Sequence, residues 1–558
     1  MERFYPYFKL DNLNSFIAGF IILFSFLIIL YSLKFIKRAR FQYYTYIILT
    51  TICSLGVVLA NNLIILLILW GFLGLTLYLL INFGKDASAA AKKTFIIVGG
   101  SDCLMILGIG IIYYLTGTFQ MDKIQISLTP KNLNTLTPIF AYLCLAIACF
   151  AKAGAMPLHT WIPDCAENAL VPVTAFLPAS LDKLLGIYLL ARMSLNLFLT
   201  NQLINLILLI VGAVTVISAV MMALIQHNAK RLLGYHAVSQ VGYMVLGIGT
   251  ANPIGIAGAI FHMLNNTIYK SCLFLTCGNV EYKKETAELD QLGGLAKFMP
   301  ISYISFLVAS LSISGVPPFN GFVSKWMIYQ GLIRTVGSTQ YVVYRVLVLL
   351  CLVSAMFGSG LTLASFLKLT HAIFLGQRTE EQTNQRTNEV SWLMFIPCII
   401  LAILCIIFGV FAFQIPLKYF ILPSLAPHYL LLTTDFLGIW LPNLATFLIL
   451  LGLILGLIIF GINKISFRED DLYLGSETKA LEVSRVSGVE FYNTIKELNL
   501  LKKIYLKAEK GYFDIYEQTK KFIFKIGGFL QFLHNGVLPT YLVWCLLGMI
   551  VLFLVLRY

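Results

Sequence analysis

The stretch Ala151–Arg192, AKAGAMPLHTWIPDCAENALVPVTAFLPASLDKLLGIYLLAR, decides how this chain folds. Apolar residues dominate both of its ends, but Lys152 lies inside the first apolar segment. Gly154 and Pro157 follow directly and weaken the helical hydrogen-bond ladder. Transporters commonly build ion sites where a membrane helix is broken beside a charge. The stretch therefore predicts two membrane helices with a helix break next to a buried lysine.

The composition of the whole chain favours a lipid bilayer as its surroundings. Of its 558 residues, 59% are hydrophobic and 12% are charged, and the mean hydropathy is +0.85. Soluble domains have roughly 45–50% apolar and about 25% charged residues. The formal net charge of +14 does not indicate nucleic-acid binding, because the basic residues fall mostly in short segments between apolar spans. We expect an all-α polytopic membrane protein.

Counting apolar segments of about 20 residues predicts about fourteen membrane helices, near 13–35, 43–60, 62–82, 94–116, 137–155, 170–193, 204–226, 232–250, 254–278, 301–328, 343–375, 391–414, 435–463 and 536–557. Basic loops at 34–40, 85–93, 230–231 and 283–284 fall on one side, which the positive-inside rule makes cytoplasmic. Both termini are then predicted on the non-cytoplasmic side of a multi-pass protein of the cell (inner) membrane. The segment 12–35 is long enough to span and is interpreted as a retained signal anchor.

The sequence offers no redox or nucleotide chemistry of its own. Most of the eleven cysteines lie inside apolar runs without the spacing of a metal or iron–sulfur site. No glycine-rich phosphate-binding motif stands between a strand and a helix. We therefore expect no cofactor, no metal and no catalytic redox residue, and an energy source that is a gradient or a partner.

Ionisable residues inside apolar spans are the strongest functional signal, because a central Lys or Asp costs roughly 2.5–3.5 kcal/mol on insertion. His262, Asn266 and Lys270 are spaced by four residues and share one helix face, which predicts a proton relay. A static polar seam between two helices is the alternative.

Each of the other charged residues inside the apolar spans can also be interpreted in two ways. Lys152 and Lys368 are either buried carriers of protons or lysines that snorkel to the interface. Asp102 is one candidate counter-charge, and the neighbouring residues Asp182 and Lys183 are others. Asp182 and Lys183 could instead simply neutralise each other.

Several motifs in fixed order resemble one protein family. The stretch 151–192 is similar to a signature in which a lysine precedes PLHTWLPDA and a GVYLLAR ending follows. Lys230-Arg231 with SQVGYM at 239–244, then 262–270, then GVPP at 315–318 with GFVSK at 321–325 follow in the family's order. These motifs resemble the antiporter-like membrane subunits of respiratory complex I, membrane-bound hydrogenases and Mrp cation/proton antiporters.

This resemblance implies two inverted five-helix repeats, each with a broken helix and a half-channel. It assigns Lys152 to the first broken helix, Lys270 to the central connection and Lys368 to the second broken helix. Its helix breaks fall at Gly154, Pro157, Pro317 and Pro318. It also implies other membrane subunits and a peripheral redox module as partners.

The C-terminal region completes the predicted organisation. Residues 467–530 are too charged to span, yet apolar residues recur there at helical spacing, as in an amphipathic interfacial helix that either anchors in lipid or braces neighbouring helices. The predicted parts are a signal-anchor helix and basic loop at 1–42, an antiporter-like proton-conducting core at 43–414, an additional membrane helix at 415–466, the amphipathic lateral helix at 467–530 and an anchor helix at 531–558.

Three departures from the family pattern bear on function. Gly71 follows Trp70 where the family usually has a glutamate, so that Asp102 or Asp182 must replace it if the first half-channel works. Asn266 stands where the family has a second histidine and cannot carry a proton as imidazolium. The chain also begins at what is usually the third helix of the family.

Three functions are consistent with these residues. The leading hypothesis is a proton-translocating subunit of a redox-driven pump of the complex I or energy-converting hydrogenase type. The second hypothesis is a Na+/H+ antiporter subunit of an Mrp-type complex, which the scarcity of intramembrane carboxylates disfavours. The third is a degenerate scaffold subunit that transports nothing.

Overall fold

The computed structural model describes residues 7–128, 136–376, 388–425, 442–463 and 492–557. Helices make up almost all of its secondary structure, and two short parallel strands, β1 (Ile126–Ser127) and β2 (Phe198–Leu199), pair with each other. The first helices are α1 (Asn12–Phe35), α2 (Arg40–Leu59), α3 (Leu63–Ile81), α4 (Ser88–Thr116), α5 (Leu136–Ala153), α6 (Trp161–Asn168), α7 (Val171–Phe176), α8 (Asp182–Arg192) and α9 (Gln202–Leu224). There follow α10 (Ala229–Gly249), α11 (Pro253–Lys284), α12 (Pro300–Ser314), α13 (Asn320–Ser338), α14 (Val342–Thr370), α15 (Trp392–Val410), α16 (Pro442–Asn463), α17 (Asn493–Glu497), α18 (Asn499–Glu509), α19 (Ile515–Leu533) and α20 (Leu538–Leu556).

The length and composition of these helices confirm an all-α, multi-pass membrane protein. Within the described residues, ten helical segments are long and apolar enough to cross a bilayer. Many side chains on their outer faces are large, apolar and exposed, as lipid contact requires; Phe26, Tyr114 and Val353 are examples. The predicted total of fourteen crossings remains a prediction.

The most buried part of the bundle lies around α11. All residues from Pro253 to Val280 are buried, and α11 contacts α7, α8, α10, α12, α13 and α15. The segment Val171–Leu197, which contains α7 and α8, is likewise enclosed by neighbouring helices. A helix that is buried all round belongs to the core of a bundle rather than to its lipid-facing surface. Polar groups on these helices are therefore shielded from lipid.

Two stretches of the chain use the same local construction. Asn62 caps the start of α3 through its side chain and forms an isolated antiparallel bridge with Gln120, directly before the 3₁₀ turn Met121–Lys123. Asn228 caps α10 in the same way and bridges to Glu288, directly before the 3₁₀ turn Leu289–Gln291. In both stretches an asparagine thus caps a helix and ties that helix start to a later turn.

Each of these stretches continues into an interrupted helix. Helix α5 ends just before Gly154, which has a φ of 84°, and α12 ends just before Gly315, with a φ of 80°. Pro157 lies in the turn between α5 and α6, while Pro317 and Pro318 lie between α12 and α13. The predicted single helix over 301–328 is therefore wrong, because the chain leaves the helical path at Gly315 and starts a new helix at Asn320.

The C-terminal residues 498–558 form a separate compact unit, apart from residues 1–497. The predicted amphipathic segment is not one helix here: α18 and α19 are separated at Gly511, whose φ of 72° ends the first of them. Helix α20 is apolar and long enough to span a bilayer. Residues 467–491, where the amphipathic segment was predicted to begin, lie outside the described residues.

Candidate ion-translocation site

The first group of the site is a buried ion pair. Lys152 lies in the last turn of α5, and Asp182 is the first residue of α8. The distance from Lys152 Nζ to Asp182 Oδ1 is 3.6 Å, and at most 1% of either side chain is exposed. Lys152 Nζ also lies 5.4 Å from the ring centre of Trp70 on α3. Neither Lys152 Nζ nor Asp182 Oδ2 has a hydrogen-bond partner among the described residues, which is rare for buried polar atoms.

A π-helical segment, Leu177–Leu181, connects α7 to α8 and aims the next two residues at the helix break. One π turn holds more residues than an α turn, so it rotates the side chains that follow it. Lys183 donates a hydrogen bond to the Ala153 carbonyl oxygen and lies 5.9 Å from the Trp161 ring centre. Asp182 therefore pairs with Lys152, and Lys183 binds the carbonyl end of α5. The two neighbours therefore each have their own partner at the end of α5.

Gly154 makes this approach possible. Its φ of 84° is one that glycine adopts without steric cost. A Cβ atom built there would lie 1.9 Å from Ile162 Cδ1 and 3.3 Å from Lys183 Nζ. A side chain at this position would therefore collide with α6 and crowd the lysine that caps α5.

Asp102 lies near this pair on α4 but is only partly buried. Its Oδ2 atom is 3.9 Å from where a Cβ of Gly74 would stand, on the same face of α3 as Trp70. Gly71 is exposed, and a Cβ built there meets no atom within 4 Å. The position where the family usually has its glutamate therefore lies on the exposed face of α3 in this chain. The carboxylate in contact with Lys152 is that of Asp182.

Lys270 lies at the centre of the bundle on α11 and is fully buried. Its Nζ donates a 2.9 Å hydrogen bond to the Leu233 carbonyl oxygen on α10. The ammonium lies 5.7 Å from the ring centre of Phe366 and 5.9 Å from that of Phe274. Helix α8, which carries Lys183, packs against α11, so the first group of residues borders on this centre.

His262 and Asn266 have different surroundings on the same helix. His262 Nδ1 lies 2.9 Å from Ser324 Oγ, and its Nε2 lies 3.2 Å from Gln240 Oε1. Asn266 is fully buried, and neither atom of its amide has a partner within the described part of the chain. The hydrogen bonds of His262 and Lys270 thus go to other residues and not to Asn266. Asn266 instead leaves two polar atoms unpaired between His262 and Lys270.

Lys325 is a site residue that the sequence analysis quoted in a motif but did not assign. It lies on α13, five residues after the helix start at Asn320, and is 2% exposed. Its Nζ donates a 2.8 Å hydrogen bond to the Ile313 carbonyl oxygen and lies 4.7 Å from the ring centre of Tyr243. Lys325 therefore binds the carbonyl end of α12 across the second helix break, much as Lys183 binds that of α5. The Gly-Val-Pro-Pro break ten residues earlier was the available signal.

Lys368 does not lie in a broken helix, which corrects its assignment. It belongs to α14, which runs unbroken from Val342 to Thr370. Its buried Nζ donates hydrogen bonds of 2.8 Å to the Leu224 carbonyl and 3.1 Å to the Gln226 carbonyl, at the end of α9. A lysine that caps free carbonyls at a helix C-terminus is a common stabilising arrangement. Lys368 thus binds the carbonyl end of α9, and its part in proton translocation stays a prediction.

The arrangement as a whole is a series of buried basic side chains. Four of them are each bonded to a backbone carbonyl: Lys183, Lys270, Lys325 and Lys368. Within the described residues, no group of three or more His, Cys, Asp and Glu side chains is placed to hold a metal ion. A helical bundle with this interior is that of a multi-pass membrane protein whose ionisable side chains are shielded from lipid.

The chain belongs to the NADH:quinone oxidoreductase/Mrp antiporter transmembrane family, whose model matches residues 60–352. The resemblance to antiporter-like membrane subunits is thereby confirmed. The Na(+)/H(+) antiporter subunit A1 of Staphylococcus saprophyticus is 32% identical over 403 residues, which cover 69% of this chain and 50% of that protein. The subunit A1 of Staphylococcus aureus strain Newman is 32% identical over 433 residues, covering 73% and 53%. This chain thus spans about half the length of the curated relatives it matches.

Solved structures of membrane complexes share the fold. A chain of the archaeal membrane-bound sulfane sulfur reductase aligns with a TM-score of 0.79 and 24% identity, covering 98% of this chain and 89% of that one. A chain of the Mrp complex from Dietzia sp. DQ12-45-1b aligns with a TM-score of 0.64 and 21% identity, covering 73% of this chain and 82% of that one. A chain of respiratory complex I from Thermus thermophilus aligns with a TM-score of 0.62 and 20% identity, covering 73% of this chain and 83% of that one. At these identities the likeness concerns the fold.

Proposed function

We propose that this protein is a proton-translocating subunit of a multisubunit membrane complex. The observation that carries the proposal is the Lys152–Asp182 pair, a 3.6 Å ionic contact that is shielded from solvent. Lys152 Nζ and Asp182 Oδ2 have no hydrogen-bond partner among the described residues. A carboxylate beside a buried ammonium favours the charged lysine, and its withdrawal favours proton release. Movement of Asp182 relative to Lys152 would therefore couple a conformational change to the transfer of one proton.

Asp182 in this proposal takes the place of the glutamate that the family usually carries where this chain has Gly71. The π-helical segment before Asp182 supports the substitution, because it turns the carboxylate toward α5. Asp102 is then a second acidic group at the outer side of Trp70 rather than the direct partner of the lysine.

We further propose that Lys325, rather than Lys368, is the lysine of the second half-channel. Lys325 follows the break at Gly315 and binds the carbonyl end of the helix before it. The paired asparagine caps, bridges and positive-φ glycines support a relation by repetition between the stretches that begin at Asn62 and Asn228. Lys183 and Lys270 would pass protons from the first stretch to the second.

The proposed setting is the cell membrane, with both termini on the non-cytoplasmic side and with other membrane subunits as partners. The structural relatives support such an assembly, since each is named as part of a complex. A peripheral redox module is our proposal for the energy source, because the sequence provides no redox motif of its own.

A second candidate is exchange of Na+ for H+. The observation that favours it is the match to curated proteins named Na(+)/H(+) antiporter subunit A1. Na+ prefers several oxygen ligands, as hard cations do, and Asp182 is the one carboxylate among the described residues that is fully buried. Transport that stops when sodium is removed would favour this candidate over proton pumping.

The decisive experiment is proton uptake by proteoliposomes that contain the intact complex, measured for wild type, Lys152→Met and Asp182→Asn under matched driving force. We expect both variants to lose most uptake, because each removes one partner of the pair. Lys368→Met is the matched control: it also removes a buried ammonium, but one that caps α9, and uptake should persist. Uptake that is unchanged in the first two variants would leave a non-conducting scaffold role as the better description.

A further inference from the structure

His236 is a buried histidine that the sequence analysis did not single out. It lies on α10, eight residues after the helix cap Asn228, and is fully buried. Trp70 lies eight residues after the matching cap Asn62 and covers Lys152. The corresponding position in the second stretch is thus a titratable imidazole instead of an indole.

The contacts of His236 place it next to Lys270. Its Nε2 lies 2.7 Å from Ser365 Oγ, and its ring centre lies 4.8 Å from that of Phe366. Lys270 Nζ lies over the same Phe366 ring, 5.7 Å from its centre, and binds the carbonyl of Leu233, one helical turn before His236. His236 and Lys270 therefore share one aromatic neighbour and one turn of α10.

The second ring nitrogen distinguishes His236 from a histidine held for packing alone. A structural histidine in a core has both nitrogens satisfied as a rule. His236 Nδ1 is buried and has no hydrogen-bond partner among the described residues. A neutral imidazole whose Nε2–H donates to Ser365 presents an Nδ1 lone pair, which can accept a proton.

Polar side chains lead from the turn of His236 toward Lys325. Gln240, one turn further along α10, has its Oε1 atom 3.2 Å from His262 Nε2, and His262 Nδ1 lies 2.9 Å from Oγ of Ser324, the residue before Lys325. Lys270 is bonded to Leu233 and Lys325 to Ile313, so the two lysines do not share a hydrogen-bond acceptor. A proton that moves from the centre to the second helix break needs an intermediate group, and His236 stands at the Lys270 end of this polar series.

We propose that His236 carries the proton between Lys270 and Lys325, an inference that rests on the proposed function. The N–H bond of the Lys270 ammonium breaks and its proton forms an N–H bond at His236 Nδ1, directly or through a bridging water. The imidazolium then loses one proton, through bridging water, to the neutral amine of Lys325. Neutral imidazole is restored, and one positive charge has moved from α11 to α13.

The test compares His236→Gln with His227→Gln in the intact complex. Glutamine keeps a polar side chain near Ser365 but cannot carry a proton, and His227 is a histidine with 53% of its side chain exposed. We expect His236→Gln to slow proton uptake by about 100-fold, the usual scale of a lost proton-transfer group, and His227→Gln to leave it unchanged. Thermal unfolding of both purified complexes establishes that they are folded.

A spectroscopic readout separates proton carriage from packing. Infrared difference spectra of complex with labelled histidine, recorded during turnover, should contain imidazolium bands that vanish in His236→Gln and persist in His227→Gln. If Lys270→Met abolishes uptake while His236→Gln keeps both rate and spectrum, the role of His236 is refuted and the proposed function stands. If neither variant changes uptake, the proposed function itself fails.

Discussion

Removing the carboxylate of Asp182 should destabilise this protein far more than removing an equally close carboxylate at its surface. The Lys152–Asp182 distance is 3.6 Å with both side chains buried. At an effective dielectric constant of about 20 this contact is worth about 4–5 kcal/mol of Coulomb energy before desolvation. Asp182→Asn leaves a buried ammonium without its counter-charge, and such changes typically cost about 3–5 kcal/mol. The lysine can lower this cost by losing its proton, so the range is an upper bound.

The exposed pair Lys9–Asp122 is the matched control. Its distance is 3.5 Å, but 32% and 22% of the two side chains are exposed. Solvent screens such pairs to about 0–1 kcal/mol, so Asp122→Asn should have little effect. The comparison holds distance and substitution constant and changes burial.

The free energy of unfolding can be measured by titrating the purified protein from mild detergent into mixed micelles with a denaturing detergent. Trp70 and Trp161, which lie against Lys152 and Lys183, report on this region through their fluorescence. The double variant Lys152→Met/Asp182→Asn should be more stable than Asp182→Asn alone, because it leaves no unpaired charge. Equal losses in the two single asparagine variants, or a double variant that is no better, would refute this account of the pair.

Three further predictions follow from the contacts. Gly154→Ala should reduce folding yield and uptake much more than Gly315→Ala. A Cβ added at Gly154 would lie 1.9 Å from Ile162 Cδ1, whereas the atom nearest to a Cβ added at Gly315 is a side-chain carbon of Lys325 at 3.1 Å. Expression and uptake assays check this. Lys368→Met should speed hydrogen exchange at the C-terminal end of α9 by about tenfold, corresponding to about 1.4 kcal/mol, as peptide-level mass spectrometry would detect. Asn266→His should raise uptake or leave it unchanged, since it adds a titratable ring between polar groups; a strong loss in proteoliposomes would contradict the relay.

The membrane fold was largely accessible from the sequence, since long apolar runs have few alternatives to a helix in lipid. The break at Gly154 could be predicted because glycine and proline stand together beside a lysine. Pro317 and Pro318 indicate the break before Asn320, but hydropathy predicts one helix there because the apolar composition continues across the break. Hydropathy counts apolar residues and does not record where the chain turns.

The partners of the charged residues could not be predicted from spacing. Asp182 and Lys183 are neighbours in sequence, but a π turn and the end of α5 give each a separate partner. Lys325 and Lys368 both follow apolar stretches, but one ammonium binds the carbonyl end of α12 and the other that of α9. Such contacts depend on the packing of distant helices, so the sequence carries the residue types but not their pairing.

The ratio of buried cations to buried anions limits how this interior can be charged. Within the described residues six lysines are buried but only one carboxylate is: the lysines are Lys152, Lys183, Lys230, Lys270, Lys325 and Lys368, and the carboxylate is Asp182. Each uncompensated charge in a bilayer costs several kcal/mol, and neighbouring positive charges repel each other. Under the proposed function, this repulsion would help a proton that enters at one lysine to displace another proton further along, so that the series conducts protons rather than stores them.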